Sequence, residues 1–233
     1  MEFPCPICSQ PMNRIPVKKL TCYFCGQTGE TDLACKDEHF VCEECRLANA
    51  KEMIEKVGLT STETDPIKIA DKLMIHPGIP IYGVEHHSLA AISLFTAIKN
   101  AKGEKVEKKD IKRLTALVEK IPYGSCGFLG VCGAAVGVGA AFSALFGASY
   151  KSDRERSIAM EAVSRANSAI AREGGPRCCV ASVYTALEEG AKMASEIFKV
   201  EIKSSPPLKS CKFVAKAEDC KRIRCRFFPE GKS

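Results

Sequence analysis

A chain of 233 residues, 45% of them hydrophobic, has enough material for one mid-sized packed core and a small second unit. Its fourteen cysteines argue against a secreted disulfide scaffold, because such scaffolds are short and core-poor, and the opening MEFPCPIC lacks the basic start and apolar run of a secretory signal. A reducing compartment, hence a cytoplasmic location, is expected. The net charge of +6 is moderate but uneven. From position 199 onward, Lys203, Lys209, Lys212, Lys216, Lys221, Arg222, Arg224 and Arg226 face few acids. That local positive field suits a solvated surface, phosphate contacts or the balancing of a buried anionic cluster.

From the amino terminus, potential metal ligands fall in four pairs: Cys5 with Cys8, Cys22 with Cys25, Cys35 with His39, and Cys42 with Cys45. Eight thiolate or imidazole ligands complete two tetrahedral sites, the geometry of structural zinc, so two zinc ions are expected. The CYFCG segment reads as a knuckle with Gly26 supplying the tight turn, and CEECRLANAKEMIEKV sets Cys42 and Cys45 at the start of a helix. A knuckle plus a helix's first turn is a treble-clef arrangement. It leaves Cys5, Cys8, Cys35 and His39 for the other ion, an interleaved order similar to RING-type cross-braced domains. Pairing of consecutive knuckles on one ion is the competing arrangement. Residues 1–58 are therefore expected to form a zinc domain whose folding depends on metal, each ion contributing on the order of ten kcal/mol. Glu30, Asp32, Asp37, Glu38, Glu43 and Glu44 surround its second half, which favours a protein partner over nucleic acid.

Residues 59–233 read as helical, with almost no strand signal, so the fold class is mostly α: a helical bundle preceded by a small two-zinc domain. Asp65 and Pro66 open a helix to about position 74, as cap and first helical residue. The segment HPGIPIYG breaks it, and a buried helix follows over 84–102, apolar on most faces, until Gly103. Further helices are predicted over 109–120, 131–146, 153–172 and 176–200, with Ser152 and Glu155 at capping-box spacing. Positions 123–149 carry no charged residue, and Gly133, Gly137 and Gly139 stand at spacings found in packed membrane helices. The first third of that stretch is broken by glycines and the remaining apolar helix is short, so a buried helix is expected and no membrane span.

The chemistry-bearing residues of this half gather at predicted helix starts. Glu85, His86 and His87 open one helix, Cys126 and Cys132 flank another, and Arg177, Cys178 and Cys179 follow two glycines and a proline. A helix amino terminus stabilises thiolates. The tail adds Cys211, Cys220 and Cys225. Seven thiols beside glycine loops and a basic tail suit an iron–sulfur site, a 4Fe–4S cluster held by Cys211, Cys220 and Cys225 with one of Cys126, Cys132, Cys178 or Cys179. Cys126 and Cys132 serve as cluster ligands or a sulfur-carrying pair. In a catalytic site Cys178 or Cys179 is the nucleophile, Arg177 an anion binder, and Glu85 with His86 or His87 the acid and base. His76, before Pro77, reads as a loop residue. All seven cysteines are expected near one another, with Glu85 and the histidines bordering the same cavity.

The motifs HPGIPIYGVEHHSL, PYGSCGFLGVCGAAVG, GGPRCC and the closing CKF and RCRFFP together resemble a cysteine-rich family of unknown function from methanogenic archaea and anaerobic bacteria. CYFCG and CKDEHFVCEEC look like its amino-terminal metal module. Tyr82 and Val84 stand where that family is expected to carry a histidine and a proline. The resemblance implies a setting of anaerobic metabolism and supplies no reaction. The expected function is an iron–sulfur protein of anaerobic sulfur or redox metabolism with a zinc docking module. Its rivals are a non-catalytic zinc adaptor or an RNA-binding protein using the basic tail, and a metal or sulfur carrier. No Rossmann, Walker or radical-SAM pattern is present.

Overall fold

The computed structural model describes residues 4–231, so the outermost positions of the two expected units, 1–3 and 232–233, lie outside it. The amino-terminal segment contains a hairpin that the spacing of the ligands does not announce. Strands β1 (Asn13–Thr21) and β2 (Thr28–Ala34) pair antiparallel, joined by the Cys22 knuckle. Most of their side chains are exposed or half-buried, so period-two alternation is weak and the ladder is carried by backbone hydrogen bonds.

The single helix predicted after Cys42 is two helices, α1 (Glu43–Leu47) and α2 (Ala50–Thr60). The chain turns extended at Ala48 because Asn49 opens a capping box: its Oδ1 accepts the Glu52 N–H at 3.0 Å, and Glu52 Oε2 accepts the Asn49 N–H at 2.9 Å. The α2 helix runs through position 58, and its buried Met53, Ile54 and Val57 join the main core.

The predicted helices of the second half follow in order. They are α3 (Pro66–Met74), α4 (Glu85–Ala101), α5 (Lys108–Val118), α7 (Gly133–Phe146), α8 (Arg154–Glu173) and α9 (Cys179–Phe198), with a one-turn α6 (Ser125–Phe128), not expected from the sequence, in the glycine-broken stretch before α7. Asp65 caps α3 as expected, its Oδ1 accepting the Ile67 N–H at 2.9 Å. The box proposed for Ser152 and Glu155 does not form. Ser152 uses its hydroxyl to accept the Ser149 N–H at 3.1 Å, which leaves Asp153 at the cap of α8 without a side-chain bond. The last helix begins at Cys179 rather than 176, because Cys178 is extended (φ −149°, ψ 101°).

Helix α4 is the centre of the bundle, packed by α2, α3, α5, α7 and α9, and every residue from Leu89 to Ile98 is buried. The glycines of α7 explain its approach. A Cβ on Gly137 would stand 2.5 Å from the His87 carbonyl oxygen and 3.0 Å from the Ala91 nitrogen, so α7 lies against the backbone of α4. Gly139 makes the same approach to Ala159 and Val163 of α8. The small-residue spacing that resembles membrane packing thus serves a buried helix of 14 residues, and among the described residues no helix is long and apolar enough to cross a membrane.

After α9 the chain forms a loop with two short 3-10 turns, Val214–Lys216 and Arg222–Arg224. Its ends close on each other where the Cys211 N–H donates to the Phe227 carbonyl at 2.9 Å, and Phe213 and Phe227 pin it into the core.

Substitution of Gly137 by alanine gains up to about 1 kcal/mol of helix propensity, but the added methyl meets backbone that cannot move aside, so overpacking of about 1–3 kcal/mol dominates. Gly137→Ala is expected to lower the urea midpoint, whereas alanine at Gly127, where nothing lies within 4 Å of the added Cβ, is expected to leave it within error.

Candidate metal centres

In the amino-terminal segment the potential ligand atoms fall into two groups, each with all its atoms within 4.8 Å of one another: Cys5, Cys8, Cys35 and His39, and Cys22, Cys25, Cys42 and Cys45. This is the interleaved arrangement, and consecutive pairs do not share a site. Within the first group, Cys8 and Cys35 Sγ are 3.7 Å apart, and His39 Nδ1 lies 3.3 Å from Cys35 Sγ and 3.8 Å from Cys5 Sγ. In the second, Cys25 and Cys42 Sγ are 3.8 Å apart. A tetrahedron with metal–sulfur bonds of about 2.3 Å has edges of roughly 3.8 Å, so these spacings fit one tetrahedral ion at each site.

Backbone N–H groups complete the fit. Ile7 and His39 donate to Cys5 and Cys35 Sγ, and Cys42 donates to Cys22 Sγ, each at 3.4 Å. The two knuckles share one turn, in which Ser9 (φ 61°) takes the left-handed position that Gly26 (φ 77°) takes in the other. Burial works against ionisation of Cys22, but the N–H groups of Cys25, Cys42 and Phe24 outweigh it and bring the thiol to about 7. Burial pushes Cys45 up, and neighbouring thiols add to the shift. A bound cation removes that penalty.

The module is built into the helical core. Phe24 is buried edge-on to His76, with ring centroids 5.1 Å apart, and His76 Nε2 lies 2.8 Å from the Cys45 carbonyl oxygen. His76, expected in a loop, is only 3% exposed and joins the second ligand group to the turn after α3.

The seven remaining cysteines border two adjoining cavities that meet at the start of α9. The larger, about 390 Å³, is bordered by Cys126, Cys132, Cys178 and Cys179, with His86 and His87 from α4. The smaller is bordered by Cys178, Cys211, Cys220 and Cys225 among Tyr184, Phe213 and Phe227. The thiols are thus brought to the start of α9 in two neighbouring cavities rather than one shared site, although the chain separates them widely. Cys178 and Lys221 border both cavities. The Lys221 side chain is 3% exposed, and Nζ donates to the carbonyls of Glu173 at 2.7 Å and Gly174 at 3.3 Å. The sequence marks Lys221 as one of eight basic tail residues, and nothing there sets it apart as the buried one except its place next to Cys220.

Helix starts do not activate these thiols. Burial raises Cys178, against the Ala181 N–H and the Lys221 charge, and raises Cys132 against the N–H groups of Ala134 and Ala135. Cys179 and Cys211 are pushed up to about 11, burial again leading. Desolvation exceeds the effect of a helix end on each of them, so all four are neutral thiols near pH 7 unless a cation binds.

The other proposed roles meet specific geometry. Arg177 stacks on the rings of Tyr82 and Tyr123, bonds the Tyr123 hydroxyl, and pairs with Asp219 at 3.2 Å. The Asp219 N–H in turn donates to the Tyr82 hydroxyl at 2.8 Å. Arg177 is thus a clasp holding the tail across the cavity. Glu85 does not line that cavity; its carboxylate folds over Gly83, where an added Cβ would lie 2.0 Å from Oε2. The His87 ring covers Gly133 at the start of α7.

His86 is 2% exposed, and burial with the nearby His87 drives it down to about 4, the Gly83 backbone opposing. The folded value lies below the ordinary one, so the unfolded chain binds the proton first as pH falls. The resulting stability is complete above about pH 6.5 and is lost as pH falls through about 4, by at most about 3 kcal/mol. Urea titrations across that window are expected to show a shallower decline for His86→Gln than for the parent chain.

Residues 54–228 match the model of a family of unknown function (DUF5714). No curated protein and no solved structure matches the chain. The matched stretch contains the seven converging cysteines with His76, His86 and His87, and the eight amino-terminal ligands lie outside it. Since it spans well over half of the residues, the chain belongs to this cysteine-rich family of unknown function.

Proposed function

We propose that the protein is an iron–sulfur protein of anaerobic sulfur or redox metabolism, with two zinc ions in its amino-terminal module. One observation carries the reading: Cys178, Cys211, Cys220 and Cys225, from two distant segments, border one apolar pocket beside the buried ammonium of Lys221. The donor set is entirely thiol, which is the set an iron–sulfur cluster takes. Among the described residues, only the amino-terminal groups bring three or more ligands within 4.8 Å of one another. Cys178, Cys211, Cys220 and Cys225 are not among those groups, so as they stand they do not form the donor set of a single tetrahedral ion. A bound cluster supplies one-electron transfer.

The charge balance supports the same choice. The Glu173 carboxylate, 4.0 Å from Lys221, is shared with Arg226, and four thiolates around iron and sulfide would add a second anion beside this buried lysine. Arg226 also turns inward, pairing with Glu173 and Glu188 at 2.7 Å each. Lys221 and Arg226 are thereby turned away from a phosphate-binding surface, while Lys203, Lys209, Lys212, Lys216, Arg222 and Arg224 remain exposed on the tail. For the amino-terminal groups, three thiols with one imidazole and four thiols are donor sets of structural zinc. The exposed faces of that module are left to dock a protein partner.

Anaerobic purification followed by iron, sulfide and zinc analysis tests the assignment. Cys211→Ala with Cys220→Ala is expected to remove about four iron and four sulfide per chain and to leave zinc unchanged. An iron content equal to that of the parent chain contradicts the reading. Because these thiols must shed protons to bind metal, reconstitution is also expected to release acid and to strengthen as pH rises from about 6 to 8.

A further inference from the structure

The larger cavity has no part in the cluster assigned above except through Cys178 and Lys221 at the shared wall. Its own thiols are Cys126, Cys132 and Cys179. Cys132 stands at the cap of α7 and Cys179 is the first residue of α9. Cys126 lies on the exposed turn of α6 at the mouth. The three line one cavity together with Cys178, whereas Cys178, Cys211, Cys220 and Cys225 line the other. Cys178 borders both cavities, and counted with the tail it leaves a set of three in the larger one.

Resting on the iron–sulfur reading, we propose that this cavity holds a second iron–sulfur cluster, bound by Cys126, Cys132 and Cys179, with its fourth iron left to a small exogenous ligand beside His87. Three thiols satisfy three irons of a cubane, and no fourth cysteine is free, since Cys178 completes the tail site.

Space and polarity support the open iron. A cavity of about 390 Å³ is in the range of small-molecule sites. Its floor is buried, through His86, Gly133, Ala134 and Ala181, while Tyr123, Gly127 and Arg177 are exposed at its mouth. His87 lines the wall with Nδ1 buried and unpartnered, a polar group left for a ligand or a water to meet. Lys221, at the wall shared with the tail site, places one buried cation between two anionic clusters.

The test uses the full chain, purified anaerobically and reconstituted with iron and sulfide. The parent protein is expected to bind about eight iron and eight sulfide, and Cys126→Ser with Cys132→Ser to bind about half of each. The Cys211→Ala, Cys220→Ala chain, retaining the cavity cluster alone, is then reduced, and its paramagnetic resonance spectrum recorded with and without cyanide. A cyanide-dependent shift is expected there and not in the Cys126→Ser, Cys132→Ser chain. Four iron in the parent, none of it lost on substituting Cys126 and Cys132, overturns the second cluster and leaves the tail site standing. Iron lost only through Cys126 and Cys132 overturns the tail site and keeps this one. A reduced spectrum indifferent to cyanide overturns the open iron. Unchanged zinc content and far-ultraviolet circular dichroism show that each variant is folded, and Cys179→Ser, which removes one ligand from the cavity floor, is expected to repeat the loss.

Discussion

The ammonium of Lys221 is buried at the junction of two groups of thiols, and much of the carboxy-terminal half is arranged around it. Carbonyls of Glu173 and Gly174 accept its hydrogen bonds, and the Glu173 carboxylate is 4.0 Å away. Burial of an ionised amine is strongly unfavourable without anionic compensation close by. The neighbouring thiols are held neutral by that same burial. A cluster of the proposed kind would ionise the sulfurs and set a second anion beside the lysine. The Arg177 clasp, Phe213 and Phe227 hold the tail in the position this requires.

Geometry at the other end of the molecule is more completely formed. Sulfur and nitrogen atoms already stand at the edges of two tetrahedra, and backbone donors point at the sulfurs. Metal and core are not alternatives there. Cys22, Cys25 and Cys45 belong to the same buried cluster as the helices, and the Cys45 carbonyl meets His76. Loss of metal from the second group would therefore be felt in the packing of Phe24 against the turn after α3.

Much of this was legible from spacing. Four ligand pairs in fifty residues point to eight ligands, and Cys42 and Cys45 at a helix start favour the interleaved pairing, which the fold then distinguishes from the consecutive one. The apolar periodicity of α9 reveals its buried face, and the near-continuous apolar run of α4 reveals a helix buried all round. What spacing could not carry depends on tertiary contacts. The β1–β2 hairpin has little alternation to betray it, and the capping box at Asn49 divides a helix that composition reads as one.

The helix-start argument fails for a quantitative reason. A helix terminus contributes a modest local field, whereas burial of a thiolate can shift its ionisation by several units. At Cys178 and Cys179 burial wins, which favours metal ligands over a free nucleophile. Arg177 likewise looked available on the chain and is engaged by Tyr123 and Asp219 in the fold. Such outcomes follow from long-range pairing, which a linear reading does not contain.

The central claim, that the tail closes a metal cluster against the start of α9, is tested most directly by anomalous scattering from crystals of the anaerobically purified chain at the iron absorption edge. The account predicts an iron peak enclosed by Cys178, Cys211, Cys220 and Cys225, with only zinc signal at the two amino-terminal sites. A pocket without iron, or one in which these four sulfurs face different neighbours, would contradict it.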